Sequence, residues 1–211
     1  MVYHYTAVGD SLTFGIGAVP GSGFVPLYRW MSEVHLQQFV AYDNLGINGL
    51  TSEELYERVM RDSRFRSRLK EASIITISIG GNDLIRAVKS SGGHPDKAKL
   101  DIALIRCQQN MSGILGAIRK LKTGSRQPYI IRAVGLYNPY PSWGDAAEYV
   151  IRFNRYLIGL GDGGYFRVAD VYSRFAGREQ EMLSIDGVHP NTKGHRVIAE
   201  QLNQLGYKPL K

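Results

Sequence analysis

Three residues of this sequence, Ser11, Asp186 and His189, have the types that nucleophilic hydrolysis requires. Ser11 lies in the stretch GDSL, directly after a short apolar segment, and can supply a hydroxyl nucleophile. His189 can take the proton of that hydroxyl, and Asp186, three residues earlier in DGVHPN, can hold and polarise its imidazole. Such a set would attack a carbonyl carbon and form an acyl-serine.

Attack on a carbonyl also needs donors for the oxygen that becomes negative. Gly49, in NLGINGLTS, lets the backbone approach an oxyanion because it has no Cβ. Asn82, in GGNDL, carries a side-chain N–H that can point into the same space. Each motif also has a structural alternative, since Ser11 could cap a helix and the other segments could be turns. Their joint occurrence at the ends of successive predicted strands favours catalysis.

The elements that must position these residues alternate along the chain. Hydrophobic patterning predicts strands at residues 3–8, 39–44, 73–79, 128–134 and 165–171, and helices near residues 25–37, 51–70, 99–122, 143–159 and 192–205. Thr51 with Glu54 has the spacing of a capping box, and Asn191 is a predicted helix cap. The stretches SIITISI and YIIRAV are continuously apolar, which is typical of strands covered on both faces. The pattern predicts an α/β fold, a parallel sheet between two helical layers, which binds ligands at the carboxyl ends of its strands.

Length and composition indicate one domain over residues 1–211, since 211 residues with 44% hydrophobic content can bury one sizeable core. No apolar run approaches the roughly 20 residues that span a bilayer, and no signal-peptide pattern is seen at the N-terminus. We therefore expect a cytoplasmic protein without a transmembrane segment. The single cysteine, Cys107, excludes an internal disulfide and is predicted to be a small buried hydrophobe on a helix.

The charge balance of 26 Lys and Arg against 19 Asp and Glu gives a net charge of +7. The basic residues are spread along the chain, with one local concentration at residues 61–70 that a solvated helix face explains. We expect no specific nucleic-acid partner, while weak attraction to an anionic membrane surface or an acidic substrate stays open.

Cofactor motifs are absent or out of context. The five histidines form no set with metal-ligand spacing, and His195 is predicted to be a surface or packing residue. GLGDGG, at residues 159–164, matches a dinucleotide pattern but lies between a helix and a strand, the reverse of the required order, so we predict a connecting turn. SSGGHPDK, at residues 90–97, is predicted to be an exposed loop. We expect no metal and no cofactor.

The motifs together resemble the four sequence blocks of the SGNH hydrolases, also called GDSL lipases and esterases. The blocks are GDSL at residues 9–12, Gly49 in NLGINGLTS, GGND at residues 80–83 and DGVHP at residues 186–190, in the family's order. The resemblance implies a flavodoxin-like α/β/α fold with Ser11 as nucleophile, His189 as base and Asp186 as the residue that orients it. It also implies an oxyanion hole made by the backbone N–H groups of Ser11 and Gly49 and the side chain of Asn82. Leu50 departs from the small or polar residue that is frequent in relatives.

The function that the resemblance implies is hydrolysis of a carboxylic ester, of the lipase, esterase or lysophospholipase kind, with a small-molecule ester or lipid-like substrate. The same fold and chemistry would also suit a sugar O-acetyl ester or a thioester. A non-enzymatic basic α/β binding module is the alternative of another class, and it predicts salt-sensitive retention on polyanions and no reaction with serine reagents. The preferred acyl group depends on the pocket walls, which we expect from loops near residues 13–24, 84–97 and 135–145.

Overall fold

The computed structural model describes residues 2–90, 96–125, 127–143, 145–161 and 164–211. The strands are β1 (Tyr3–Gly9), β2 (Val40–Gly46), β3 (Ile74–Ser78), β4 (Ile130–Val134) and β5 (Phe166–Ala169). The helices are α1 (Ser11–Phe14), α2 (Phe24–Leu36), α3 (Ser52–Arg61), α4 (Ser63–Glu71), α5 (Gly81–Lys89), α6 (Lys97–Lys122), α7 (Ala146–Gly159), α8 (Tyr172–Phe175), α9 (Glu179–Met182) and α10 (Thr192–Gln204).

The strands form one parallel sheet in the order β2-β1-β3-β4-β5. Every residue of β3 and β4 is buried, as the continuous apolar runs predicted. From β1 the chain first adds β2 on one side and then returns to place β3 on the other side. This reversal leaves a crevice at the carboxyl ends of β1 and β3, where sheets of this kind bind ligands. Ser11 follows β1 and Asn82 follows β3, so the topology brings both to that crevice.

A hydrophobic core lies on each face of the sheet. One cluster joins the sheet to α3, α4, α6 and α7, with Leu55, Phe65, Met111 and Phe153 among its members. The other joins the opposite face to α2 and α10, and it includes Phe24, Tyr28, Ile198 and Leu202. The predicted α/β/α architecture is therefore confirmed. Cys107 is buried in the first cluster, also as predicted.

Two helical predictions differ from the structure. The single helix predicted over residues 51–70 is two helices, because Asp62 ends α3 and its carboxylate accepts hydrogen bonds from the first N–H groups of α4. Helix α5 occupies a region predicted to be a turn and a loop. It begins after Gly80, whose φ of +113° is open to glycine at little cost. Residues 91–95 of the predicted loop, and residues 162–163 of the predicted turn, lie outside the described residues.

The predicted helix caps are both present. Thr51 and Glu54 form a reciprocal capping box at the start of α3, and the Asn191 side chain accepts a hydrogen bond from the Gly194 N–H in α10. Among the described residues, none of the helices combines the length and the apolar character needed to cross a membrane.

Candidate active site

Ser11 is positioned by a tight turn at the end of β1. Gly9 has a φ of +149°, and a Cβ built on it would lie 2.2 Å from the Ser78 carbonyl oxygen, so only glycine allows the two strands to approach in this way. Asp10 then caps α1, its carboxylate accepting a hydrogen bond from the Leu12 N–H at 3.0 Å. Ser11 becomes the first residue of α1 and lines a cavity at the edge of the sheet.

Ser11, His189 and Asp186 form a continuous chain of hydrogen bonds. The Ser11 Oγ lies 2.9 Å from the His189 Nε2, and the His189 Nδ1 lies 2.6 Å from the Asp186 Oδ2. The other carboxylate oxygen of Asp186 accepts from the backbone N–H groups of Val188 and His189, each at 2.9 Å. The sequence-predicted nucleophile, base and carboxylate therefore meet, although 178 positions separate Ser11 from His189.

The ionised carboxylate of Asp186 determines which ring nitrogen of His189 carries the proton. Partial burial alone would raise the pKa of Asp186, but hydrogen bonds from the His189 side chain and from the Val188 and His189 amides outweigh it and lower that pKa to about 2. The ionised carboxylate only accepts, so a neutral His189 places its proton on Nδ1. Its Nε2 is then free to accept the hydroxyl proton of Ser11.

Two of the three predicted oxyanion donors line the same cavity. Asn82, near the start of α5, uses its Nδ2 to donate to the Leu50 carbonyl at 3.0 Å, which leaves a second N–H on the same nitrogen. The Ser11 N–H enters no hydrogen bond within the described part of the chain. Gly49 is not a lining residue, but its carbonyl accepts from Arg86 at 2.8 Å. Helix α5 thus holds the turn at residues 47–50 through two carbonyls.

The cavity has a volume of about 710 Å³ and mostly apolar walls. Most of its apolar lining comes from α5, from the loop between β4 and α7, and from α7 itself: Leu84, Ile85, Val88, Leu136, Tyr137, Pro139, Tyr140, Trp143, Ala146, Tyr149 and Val150. Leu12, Leu100 and Val188 complete it from other elements. The predicted contribution of residues 135–145 is therefore present, and that of residues 84–89 is present as a helix rather than a loop. Such a volume and lining are typical of sites for small organic ligands.

The predicted contribution of residues 13–24 to the cavity is wrong, because this segment packs against the start of α10. A Cβ built on Gly17 would lie 2.3 Å from the Pro190 carbonyl oxygen, and the Val19 N–H donates to the Thr192 hydroxyl at 3.1 Å. His195 makes the third contact, donating from Nε2 to the Ile16 carbonyl at 2.9 Å. The chain that follows Ser11 is thereby fastened to the chain that follows His189.

His195 is fully buried, so the surface alternative for this residue is wrong and the packing alternative holds. Its ring is stacked on Phe24, and its Nδ1 accepts from the Phe24 N–H at 3.1 Å. Burial lowers the pKa of His195, since the interior disfavours the charged imidazolium. The Nδ1 can accept and the Nε2 can donate only when the ring is neutral, so both hydrogen bonds stabilise the neutral form of His195 in the interior.

Tyr137 is a further residue of the site that the sequence did not reveal. Its hydroxyl donates to the Val188 carbonyl at 2.7 Å, and its ring packs on Phe175 with centroids 4.8 Å apart. Burial raises the pKa of Tyr137 well above its ordinary value, so the hydroxyl remains a donor at neutral pH. Tyr137 therefore stabilises, through this hydrogen bond, the turn that carries Asp186 and His189.

Asp10 is the other ionisable group beside the nucleophile. Burial raises the pKa of Asp10 to about 6, although hydrogen bonds from the Leu12 N–H and the Ser78 hydroxyl act in the opposite direction. Its role in the structure is to fix the first turn of α1 around Ser11.

Comparison with known proteins shows the family of this chain. Residues 7–197 match the family model described as the GDSL-like lipase/acylhydrolase family. The spore germination lipase LipC of Bacillus licheniformis is 36% identical over 208 residues, which cover 98% of this chain and 98% of that protein. The crystal structure of the lipase Lip_vut3 from a goat rumen metagenome superposes with a TM-score of 0.93 at 36% identity, over 99% of this chain and 100% of that one. Axe2, an acetylxylan esterase from Geobacillus stearothermophilus, shares the fold with a TM-score of 0.71 at 17% identity, over 99% of this chain and 96% of that one.

Proposed function

Since this chain belongs to the GDSL-like lipase/acylhydrolase family and is a carboxylic ester hydrolase, we propose that it forms its acyl-enzyme on Ser11. His189 is the general base, and Asp186 orients it. The observation that carries this proposal is the unbroken chain of hydrogen bonds from Ser11 Oγ through His189 to Asp186, three residues that all line one cavity. We assign residues 1–211 to one hydrolase domain, because both core clusters pack on the same sheet.

The reaction has two halves. In acylation, the Ser11 Oγ attacks the ester carbonyl carbon while its proton passes to the His189 Nε2. The tetrahedral intermediate collapses when the bond to the alcohol oxygen breaks, and His189 returns its proton to that oxygen. In deacylation, His189 takes a proton from water, whose oxygen attacks the acyl carbon. The bond to Ser11 then breaks, its Oγ regains the proton, and the carboxylic acid is released.

The negative oxygen of both tetrahedral intermediates needs donors that are already in place. We assign this role to the free N–H of Ser11, to the second N–H of the Asn82 amide and to the Gly49 N–H. The bond from Asn82 to the Leu50 carbonyl fixes the plane of the amide before substrate binds. Donors held in this way need no reorganisation when the charge develops.

The acid in the ester is proposed to be a fatty acyl group rather than acetate. The relative LipC is named a lipase, and the cavity beside Ser11 has room and apolar surface for more than an acetyl group. The acetyl group of a sugar O-acetyl ester, by contrast, has only two carbons and would leave most of this apolar surface without a contact.

A phosphonate reagent that attacks activated serines tests the assignment. It should abolish ester hydrolysis and add its mass to the peptide that contains Ser11, while a chelator should leave the activity intact. Ser142→Ala is the matched control, because Ser142 lines the same cavity and makes no hydrogen bond to a histidine among the described residues. Labelling of another serine, or loss of activity in the chelator, would contradict the proposed mechanism.

A further inference from the structure

The carboxylate of Asp83 lies at the centre of a polar cluster that the proposed mechanism does not use. It accepts hydrogen bonds from the backbone N–H of Ser52, shared between its two oxygens at 3.0 Å and 3.3 Å, and from the Ser52 hydroxyl at 2.6 Å. The Asn110 side chain of α6 donates to the same hydroxyl oxygen at 2.9 Å. The cluster therefore joins α5 to the start of α3 and to α6.

Asp83 does not take part in the reaction by contact or by charge. It follows Asn82 in the chain but is not a cavity residue, so it does not touch a substrate there. Its negative charge would oppose the charge that develops on the substrate oxygen. That charge extends to the nucleophile, because burial is the main cause of the raised pKa of Asp10 and repulsion from Asp83 adds to it. Asp83 can therefore assist hydrolysis only through the groups that it holds in place.

The residue that Asp83 holds is the first residue of α3. Backbone N–H groups in the first turn of a helix have no partner within the helix. The capping box of Thr51 and Glu54 satisfies two N–H groups at this end of α3, and Asp83 satisfies that of Ser52. A carboxylate is also stabilised by the positive end of the helix dipole. Asp83 thus caps α3 from a neighbouring helix, and the chain that leads into α3 is fixed relative to α5.

The two elements joined in this way each carry one proposed oxyanion donor. Asn82 precedes Asp83 in α5, and Gly49 lies in the turn directly before α3. The Gly49 N–H enters no hydrogen bond within the described part of the chain, so its direction depends on how the turn is held. Since hydrogen bonds tolerate only a few tenths of an ångström of displacement, donors on separate elements can act on one oxygen only at a fixed spacing.

We propose that Asp83 is a positioning residue for ester hydrolysis, which sets the spacing between the Asn82 and Gly49 donors through its bonds to Ser52. The inference rests on the proposed function, since it takes these two groups as oxyanion donors. Asn82 and Arg86 also bind carbonyls of the turn. The Asp83 contact differs from that of Arg86 because it ends on the fully buried Ser52, whereas Arg86 is largely exposed. Bonds that are shielded from water hold the two elements more firmly.

Asp83→Ala and Ser52→Ala remove this contact from its two ends. Asp83→Ala deletes the whole contact and should lower kcat for p-nitrophenyl acetate by at least about tenfold, with KM within about twofold, because misplaced donors weaken the transition state more than the bound ester. Ser52→Ala deletes only the hydroxyl bond, changes no charge and should lower kcat by about fivefold. Asn110→Ala is the matched control. It removes a hydrogen bond to the same hydroxyl, leaves those between Ser52 and Asp83 in place, and should keep kcat within about twofold.

A double-mutant cycle with Asn82→Ala shows whether Asp83 acts through the oxyanion hole. Residues that act as a unit have overlapping effects, so the protein with both Asp83→Ala and Asn82→Ala should lose at least about threefold less kcat than the product of the two separate losses. Effects that simply multiply would mean that Asp83 acts elsewhere and would overturn the inference. If urea unfolding shows that Asp83→Ala does not fold, the same cycle with Ser52→Ala decides the question.

The outcomes separate this inference from the proposed function. If the wild-type protein hydrolyses esters and is labelled at Ser11, but Asp83→Ala and Ser52→Ala only lose stability or only raise KM, Asp83 is a helix cap alone and the mechanism stands. If Asn110→Ala lowers kcat as much as Ser52→Ala does, the loss of any bond in the cluster suffices, and the inference is again wrong. If Ser11 is not labelled and no ester is hydrolysed, the proposed function itself fails.

Discussion

Replacing Asn82 by alanine separates an oxyanion donor from a residue that only supports a turn. The Asn82 Nδ2 carries two N–H groups, of which one donates to the Leu50 carbonyl at 3.0 Å. The other is available to a substrate oxygen in the cavity, which Asn82 lines. The substitution removes both donors at once, so its two consequences have to be measured on the same variant.

The two losses differ in size and in the quantity they affect. A donor that acts on the developing oxyanion contributes chiefly to kcat, and its removal should lower kcat by about 10²- to 10³-fold, or about 3 to 4 kcal/mol, with little change in KM. Loss of the bond to the Leu50 carbonyl should lower the free energy of unfolding by about 1 kcal/mol. The expected result is therefore a folded, slightly less stable enzyme that binds ester normally and turns it over slowly.

The assay combines steady-state hydrolysis of p-nitrophenyl acetate with urea unfolding. Arg86→Ala is the matched control, because Arg86 donates to the Gly49 carbonyl in the same turn at 2.8 Å and is not a cavity residue. Since Arg86 is largely exposed, its removal should change kcat by no more than about threefold. Equal losses of kcat in both variants would mean that loosening of the turn causes the effect. An Asn82→Ala enzyme with lower stability and normal kcat would remove Asn82 from the mechanism.

Three further expectations concern the residues around the nucleophile. Asp186→Asn should lower kcat by about 10⁴-fold in a folded protein, because an amide no longer fixes the proton on the His189 Nδ1; an active variant would contradict this. Tyr137→Phe should lower kcat by about tenfold with little change in KM, because the Val188 carbonyl loses its donor; a change in KM alone would point to a substrate contact. His195→Gln tests a pH effect on stability. Burial lowers the pKa of His195 in the folded protein below its value in the unfolded chain. The stability that the neutral His195 ring contributes is therefore full above about pH 6.5 and is lost as the pH falls through the lower folded pKa. The difference in urea midpoint between wild type and His195→Gln should therefore shrink between pH 7.5 and 5.5, and a constant difference would exclude this titration.

The fold could be predicted because its signals are local. Continuous apolar runs identified β3 and β4, and spacing at about 3.6 residues identified the helices that pack on the cores. Polar residues at successive strand ends then located the site, since the carboxyl ends of parallel strands lie at one edge of the sheet. The boundary at Asp62 was missed because the apolar pattern continues across it into α4, while the cap acts through a single side chain.

Helix α5 was missed because its first residues are typical of a turn. It starts at Gly81 after a second glycine, and no residue in it is fully buried. Its apolar residues Leu84, Ile85 and Val88 line the cavity, and the core takes only part of this surface. The spacing of these apolar residues is that of an amphipathic helix, but α5 has only 9 residues and opens with Gly-Asn-Asp, residues that favour a turn.

The short distance between Ser11 and His189 depends on contacts that cannot be read from any local sequence pattern. Ser11 is the first residue of α1, and the backbone N–H groups of Gly15 and Ile16 both donate to its carbonyl. Beyond them, Gly17 contacts the Pro190 backbone so closely that any Cβ would force the two segments apart, and its φ of +90° also favours glycine. The hydrogen bond between Ser11 and His189 tolerates only a few tenths of an ångström of displacement. Gly17 provides no catalytic group, but its lack of a side chain is thus needed for the short distance between Ser11 and His189. The buried ring of His195 holds the segment after Ser11 against the segment after His189 through its bond to the Ile16 carbonyl.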